Sequence, residues 1–99
     1  SSTELKTISK FITNDFYRYE ILGVAFNLDE TRQQLEKSLL TGDIYIQICN
    51  LKDSSTELKT ISKFITNDFY RHEILRVASN LDETRQQLEK FLPWEKQNA

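Results

Sequence analysis

Residues 1–39 are repeated at 54–92, an offset of 54 − 1 = 53, with four replacements: Tyr19/His72, Gly23/Arg76, Phe26/Ser79 and Ser38/Phe91. A chain written twice must solve its fold for one unit and then for the packing of two, because a single repeat rarely buries its own apolar face. One copy, at about 40 residues, lies near the size where a lone core fails without a staple. Cys49 is the single cysteine, so no disulfide can form within the chain. The two copies are therefore expected to fold against each other as one domain over residues 1–99, with a connector at 40–53 and a tail at 93–99. All four replacements, and Leu40/Pro93 just beyond them, are single-base changes in the genetic code. Drift after a tandem duplication leaves that trace.

Inside the unit, apolar residues recur at helical spacing. Ser1-x-x-Glu4 and Ser54-x-x-Glu57 have capping-box spacing, and the Leu5, Ile8, Phe11, Ile12 periodicity behind the first predicts helices at about 3–12 and 56–65. Thr13-Asn14-Asp15 reads as a polar break, since short polar side chains favour caps and turns. A second helix is expected from Phe16 to Phe26, with Tyr17, Ile21, Val24 and Leu28 inward. Asn27-Leu28-Asp29 then reads as a turn and cap before a third helix at about 30–39, anchored by Leu35 and Leu39. In the connector, Ile44, Ile46 and Ile48 alternate like a strand, while Ile44, Ile48 and Leu51 share a helical face. A lone strand would lack a sheet partner, so a helix at about 44–52 is expected. Pro93 should stop the last helix and let Trp94 fold back. The expectation is an all-α, compact bundle of about six to seven short helices, built from a duplicated three-helix unit with pseudo-twofold packing.

The chemistry a catalyst needs is thinly represented. There is one histidine, His72, and its counterpart is Tyr19, so the unit does not depend on an imidazole. Two glycines in the whole chain leave no Gly-rich phosphate loop, and no Cys/His spacing resembles a zinc site. Cys49 sits in an apolar segment and is expected to be buried packing. The duplicated Asp29-Glu30 and Asp82-Glu83 pairs are explained by the positive end of a helix dipole. The sequence implies no enzyme, no cofactor and no metal.

The replacements carry the functional signal. Tyr19, Gly23 and Phe26 are spaced i, i+4, i+7, so three of the four fall on one stripe of the second helix, nearly opposite its core face. The first copy presents Phe16, Tyr19, Gly23 and Phe26 there; the second presents His72, Arg76 and Ser79. Either the connector helix covers the first copy's stripe, or the stripe is a groove for a partner. These seven residues are the partner-binding candidates. The function expected is a non-enzymatic protein–protein interaction or self-association module, its partner another protein or a second copy of itself. The alternative is a helix-turn-helix DNA-binding regulator, with Arg32, Gln33, Gln34 and Lys37 exposed beyond the Asn27–Asp29 turn. Against it, 13 Lys/Arg face 15 Asp/Glu, and a nucleic-acid binder usually gathers a basic excess. The longest apolar run, Ile21 to Phe26, is far too short to span a bilayer. One unpaired cysteine fits a reducing, intracellular setting, cytoplasmic or nuclear. The chain opens on serine, as a processed product or an excised piece would.

Overall fold

The structure is a computed structural model and describes residues 2–41 and 44–92. These form four helices in the order α1 (Ser2–Ser9), α2 (Asp15–Thr41), α3 (Tyr45–Ser62) and α4 (Asp68–Glu89), with no strand among the described residues. The molecule measures 43 × 24 × 17 Å. Its long dimension is close to the length of α2, whose 27 residues rise about 1.5 Å each.

Four helices replace the expected six or seven, and the reason lies in two kinds of fusion, the first of them made in both copies, as α2 and as α4. Through the expected turn at Asn27–Asp29 the inward residues Ile21, Val24, Ala25, Leu28, Thr31 and Ser38, with Leu35 half-buried, keep a spacing of three or four. No proline interrupts them, and the one glycine among them, Gly23, lies ahead of the expected turn, so the buried stripe overrides the capping tendency of Asn27 and Asp29. Asp29 does not cap a helix; it takes the Lys6 ammonium at 2.8 Å from mid-helix. The second fusion joins the connector helix to the first helix of the second copy. Gln47, Ile48, Leu51, Ser54, Ser55, Leu58, Ile61 and Ser62 form one buried seam along α3, so the connector enters the repeat already in phase. Ser54 and Glu57 consequently lie inside α3 and cap nothing. The Ser1 cap, Pro93, Trp94 and the tail fall outside the described residues.

The polar break before α2 does form, identically in both copies. Lys10, Phe11 and Ile12 donate to Thr7, Ile8 and Ser9 carbonyls, as Lys63, Phe64 and Ile65 do to Thr60, Ile61 and Ser62. These i→i+3 bonds tighten the helix end, so the first helix stops at Ser9, short of residue 12. Asn14 Oδ1 accepts from Tyr17 N, and Asn67 Oδ1 from Tyr70 N, both at 3.1 Å. Each asparagine thereby satisfies one free amide at a helix start.

Packing uses small residues where helices cross. Ser2 Oγ donates to the Ala25 carbonyl at 3.3 Å, and Ser55 Oγ to the Ala78 carbonyl at 3.2 Å. Lys59–Asp82, at 2.7 Å, repeats Lys6–Asp29. A single core runs through both halves, from Leu5, Ile21 and Val24 to Leu58, Ile74 and Val77, all essentially inaccessible to solvent. Burying each such side chain stabilises the fold by about 1.5–3 kcal/mol relative to leaving it in water. Contacts between halves are reciprocal. Phe11 stacks on Tyr70 and Tyr17 on Phe64, each pair at 5.4 Å and 12°.

Two burial expectations are corrected. Leu39 is half exposed, because the continuous helix turns Ser38 inward instead. Cys49 is half-buried.

Candidate interaction site

Three neighbouring features on the surface could meet a partner. The first is the end of the bundle where the two breaks lie. Phe16 meets Tyr17 edge-on at 5.4 Å and Phe69 meets Tyr70 edge-on at 5.5 Å, completing with the two stacked pairs a group of six rings. Tyr17 and Tyr70 pack on the core, while Phe11, Phe16, Phe64 and Phe69 are each more than half exposed. Beside them an apolar groove of about 430 Å3 runs between α1 and α4, lined by Ile8, Phe11, Phe69 and Tyr70 with Thr3, Glu4, Thr7 and Glu73 at its rim.

The second is the stripe singled out by the replacements. Tyr19 is 66 % and Phe26 61 % exposed, so neither α3 nor any other described element covers them. Cations sit over both rings, Arg18 above Tyr19 at 5.3 Å and Lys6 above Phe26 at 5.5 Å. These contacts stabilise aromatic rings left at the surface. In the second copy His72 and Ser79 are exposed at the same register. Nothing in the structure explains why Phe26 became Ser79, or the reverse.

The third is the consequence of Gly23/Arg76. Arg76 reaches from α4 to Glu4 on α1 and to Glu73 on its own helix, both at 2.6 Å. Subtracting or adding the 53-residue offset maps Glu4, Glu73 and Arg76 onto Glu57, Glu20 and Gly23. Glu57 of α3 and Glu20 of α2 meet carboxyl to carboxyl, but the guanidinium is missing. Among the described residues no Lys or Arg forms an ion pair with either. The Glu57 carboxyl is pushed up to about 7, first by burial, then by its hydrogen bond with Glu20 and by the charges of Glu20 and Asp53. A side chain built at Gly23 meets no atom within 4 Å.

This carboxyl pair sits beside a groove of about 510 Å3 between α2 and α3, lined by Asn27, Glu30, Thr31 and Gln34 on one side and Ile46, Gln47, Asn50, Asp53, Ser54 and Glu57 on the other. Gln47 is 7 % exposed; its Nε2 donates to Ser38 Oγ at 3.2 Å, and its buried Oε1 has no donor.

Of the seven candidates, the structure brings Phe16 to the aromatic end, Tyr19 and Phe26 to an open stripe, and Gly23 and Arg76 to the two carboxyl pairs; His72 and Ser79 stand apart at the surface. Glu20, Glu57, Phe11, Phe64 and Phe69 were not anticipated. Glu20 was within reach of sequence reasoning: Glu73 and Arg76 are an i, i+3 pair, and Gly23 removes that partner from Glu20. The contact with Glu57 is tertiary and leaves no local mark. α2 runs without a break through Asn27–Asp29, where helix-turn-helix docking requires a turn. Among the described residues no three His, Cys, Asp or Glu converge as metal ligands, and no helix is long and apolar enough to cross a membrane. Comparison with protein-family models, curated proteins and solved structures finds no match to this chain.

Proposed function

We propose that the chain is a non-enzymatic protein–protein interaction or self-association module that arose by tandem duplication, its halves related by a pseudo-twofold axis. The observation carrying it is the aromatic end: four phenylalanines more than half exposed, held by ring contacts across both halves. Apolar surface gathered in this way is costly in water and characteristic of a docking face. The reciprocal Phe11–Tyr70 and Tyr17–Phe64 stacks support the symmetric arrangement, because in an isologous contact residue i meets j wherever j meets i. Rings presented twice about such an axis suit burial against a second copy of the chain.

The experiment is sedimentation of the wild type beside the Phe16→Ser/Phe69→Ser double variant. A concentration-dependent dimer in the wild type, lost in a variant with unchanged helical circular dichroism, supports self-association. A wild type that stays monomeric at every concentration, and that shows no altered solubility or surface-dye binding on double substitution, removes the aromatic end as a docking face.

A further inference from the structure

The repeat, its copies offset by 53 residues, contains its own control for a ligand site. In one half a guanidinium lies between two glutamates: Arg76 with Glu4 and Glu73 at 2.6 Å each. In the other half the two glutamates, Glu57 and Glu20, face each other while the arginine position is Gly23, with open space where a side chain would start. The geometry points to Glu20, Glu57 and the vacant Gly23 position as a binding slot for an arginine side chain presented by a segment of a partner protein. This goes beyond self-association through the aromatic end, and either could fail alone.

Three observations fix the chemistry of the occupant. The Arg76 site shows which group this carboxyl geometry accepts, and a planar fork of N–H donors can serve two carboxylates at once where an ammonium acts as a point charge. The adjoining groove adds Asp53 and Glu30 and no cation among its lining residues, so its field favours a basic segment. Gln47, more than nine-tenths buried in the groove wall, offers an acceptor oxygen without a donor, which a peptide N–H or a second basic side chain would satisfy. Among the described residues no three His, Cys, Asp or Glu converge here as metal ligands.

The test titrates the full chain with a blocked hexa-arginine peptide at low ionic strength, by calorimetry and by carboxyl-carbon NMR of Glu20 and Glu57. Gly23→Arg fills the slot from within; Gln86→Arg adds the same charge at an exposed position of α4. The expected result is saturable binding that shifts both carboxyl resonances, weakened about tenfold or more by Gly23→Arg and less than about threefold by Gln86→Arg. Equal weakening by both variants, binding that leaves the Glu57 resonance still, or no binding at all would overturn the slot. Displacement of the peptide from Glu57 by Mg2+ or Ca2+ at equal ionic strength would also overturn it, in favour of a metal. Gly23→Arg leaves the aromatic end untouched, so sedimentation of that variant reports separately on self-association.

Discussion

Gln47 Nε2 donates to Ser38 Oγ across 3.2 Å in the seam where the start of α3 lies along the last turns of α2. The residue repeating Ser38 is Phe91, which is 68 % exposed, and Leu92 beside it is buried instead. The two copies thus end differently. α2 stays helical to Thr41, while after Glu89 the chain tightens into i→i+3 bonds, Phe91 to Leu88 and Leu92 to Glu89, which swing Leu92 inward. Exchanging the residues should therefore be unequal in effect. Ser38→Phe forces a ring into a packed seam and removes the Gln47 partner, costing about 1–3 kcal/mol. Phe91→Ser changes a surface position and should stay within about 0.5 kcal/mol. Urea denaturation of the two single variants measures both.

Continuity of α2 at the expected turn is testable with proline. Asn27 would tolerate Pro at a turn, but inside a helix the ring removes a hydrogen bond and clashes with the carbonyl four residues back. Asn27→Pro is expected to cost about 3 kcal/mol or more, read by urea denaturation. A near-neutral result would mean that the helix is broken at this point.

The carboxyl groups divide into two kinds with opposite pH behaviour. Glu57 holds its proton to about 7 in the folded chain against an ordinary value of 4.5, with Glu20 and Asp53 as the facing negative groups. Above pH 7 the folded state carries the repulsion in full. As pH falls from about 7 to 4.5 the folded state takes up the proton first, so stability rises. Asp29 and Asp82 are held below their ordinary 3.8, first by hydrogen bonds from Lys6 and Lys59. Their contribution is complete above 3.8 and is lost as pH falls through the folded-state values. Thermal melts should show a stability maximum at about pH 4–5, between these windows. A plateau from pH 5 to 8 would contradict the Glu57 assignment.

Gly23→Arg should raise stability as well as fill the slot. Replacing a mid-helix glycine that meets open space recovers about 0.8 kcal/mol of helix propensity. The new guanidinium should also bring the Glu57 carboxyl down toward its ordinary range, flattening the pH profile above 5. Gly23→Ala separates the effects: it should recover the propensity and leave the Glu57 titration where it is, as carbon NMR can follow.

The two cross-half stacks should be energetically alike. Double-mutant cycles on Phe11/Tyr70 and Tyr17/Phe64, each ring taken to Leu, are expected to give coupling of about 0.5–1.5 kcal/mol. Values differing by much more than about 0.5 kcal/mol would deny that the two contacts are equivalent.

The all-α class and the inward stripe Ile21–Val24–Leu28 were legible because burial follows helical period, and the polar break Thr13-Asn14-Asp15 was legible because short polar side chains act on nearby backbone amides, as Asn14 does on Tyr17 N. Helix number was not. Asn27 and Asp29 carry the local chemistry of a cap, and only the buried line from Ile21 to Ser38 shows that tertiary packing overrules it. Likewise Ser54-x-x-Glu57 has the spacing of a cap, but the connector ahead of it supplies a buried face in register, so the helix begins at Tyr45. The Gly23/Arg76 difference was visible as an outward change. Its meaning depended on Glu57 approaching Glu20 from another helix, which spacing along the chain does not encode.

Because α3 passes without interruption from connector into repeat, the halves are joined by a stiff rod and not by a slack tether. Near-identical neighbouring segments ordinarily invite strand-for-strand or helix-for-helix trading between molecules, each copy occupying the other's berth. At the junction near Asp53–Ser54 such trading would first require uncoiling a rod whose seam is buried on both sides of the joint. The repeat thus carries, at its own joint, a barrier to exchange hinged there.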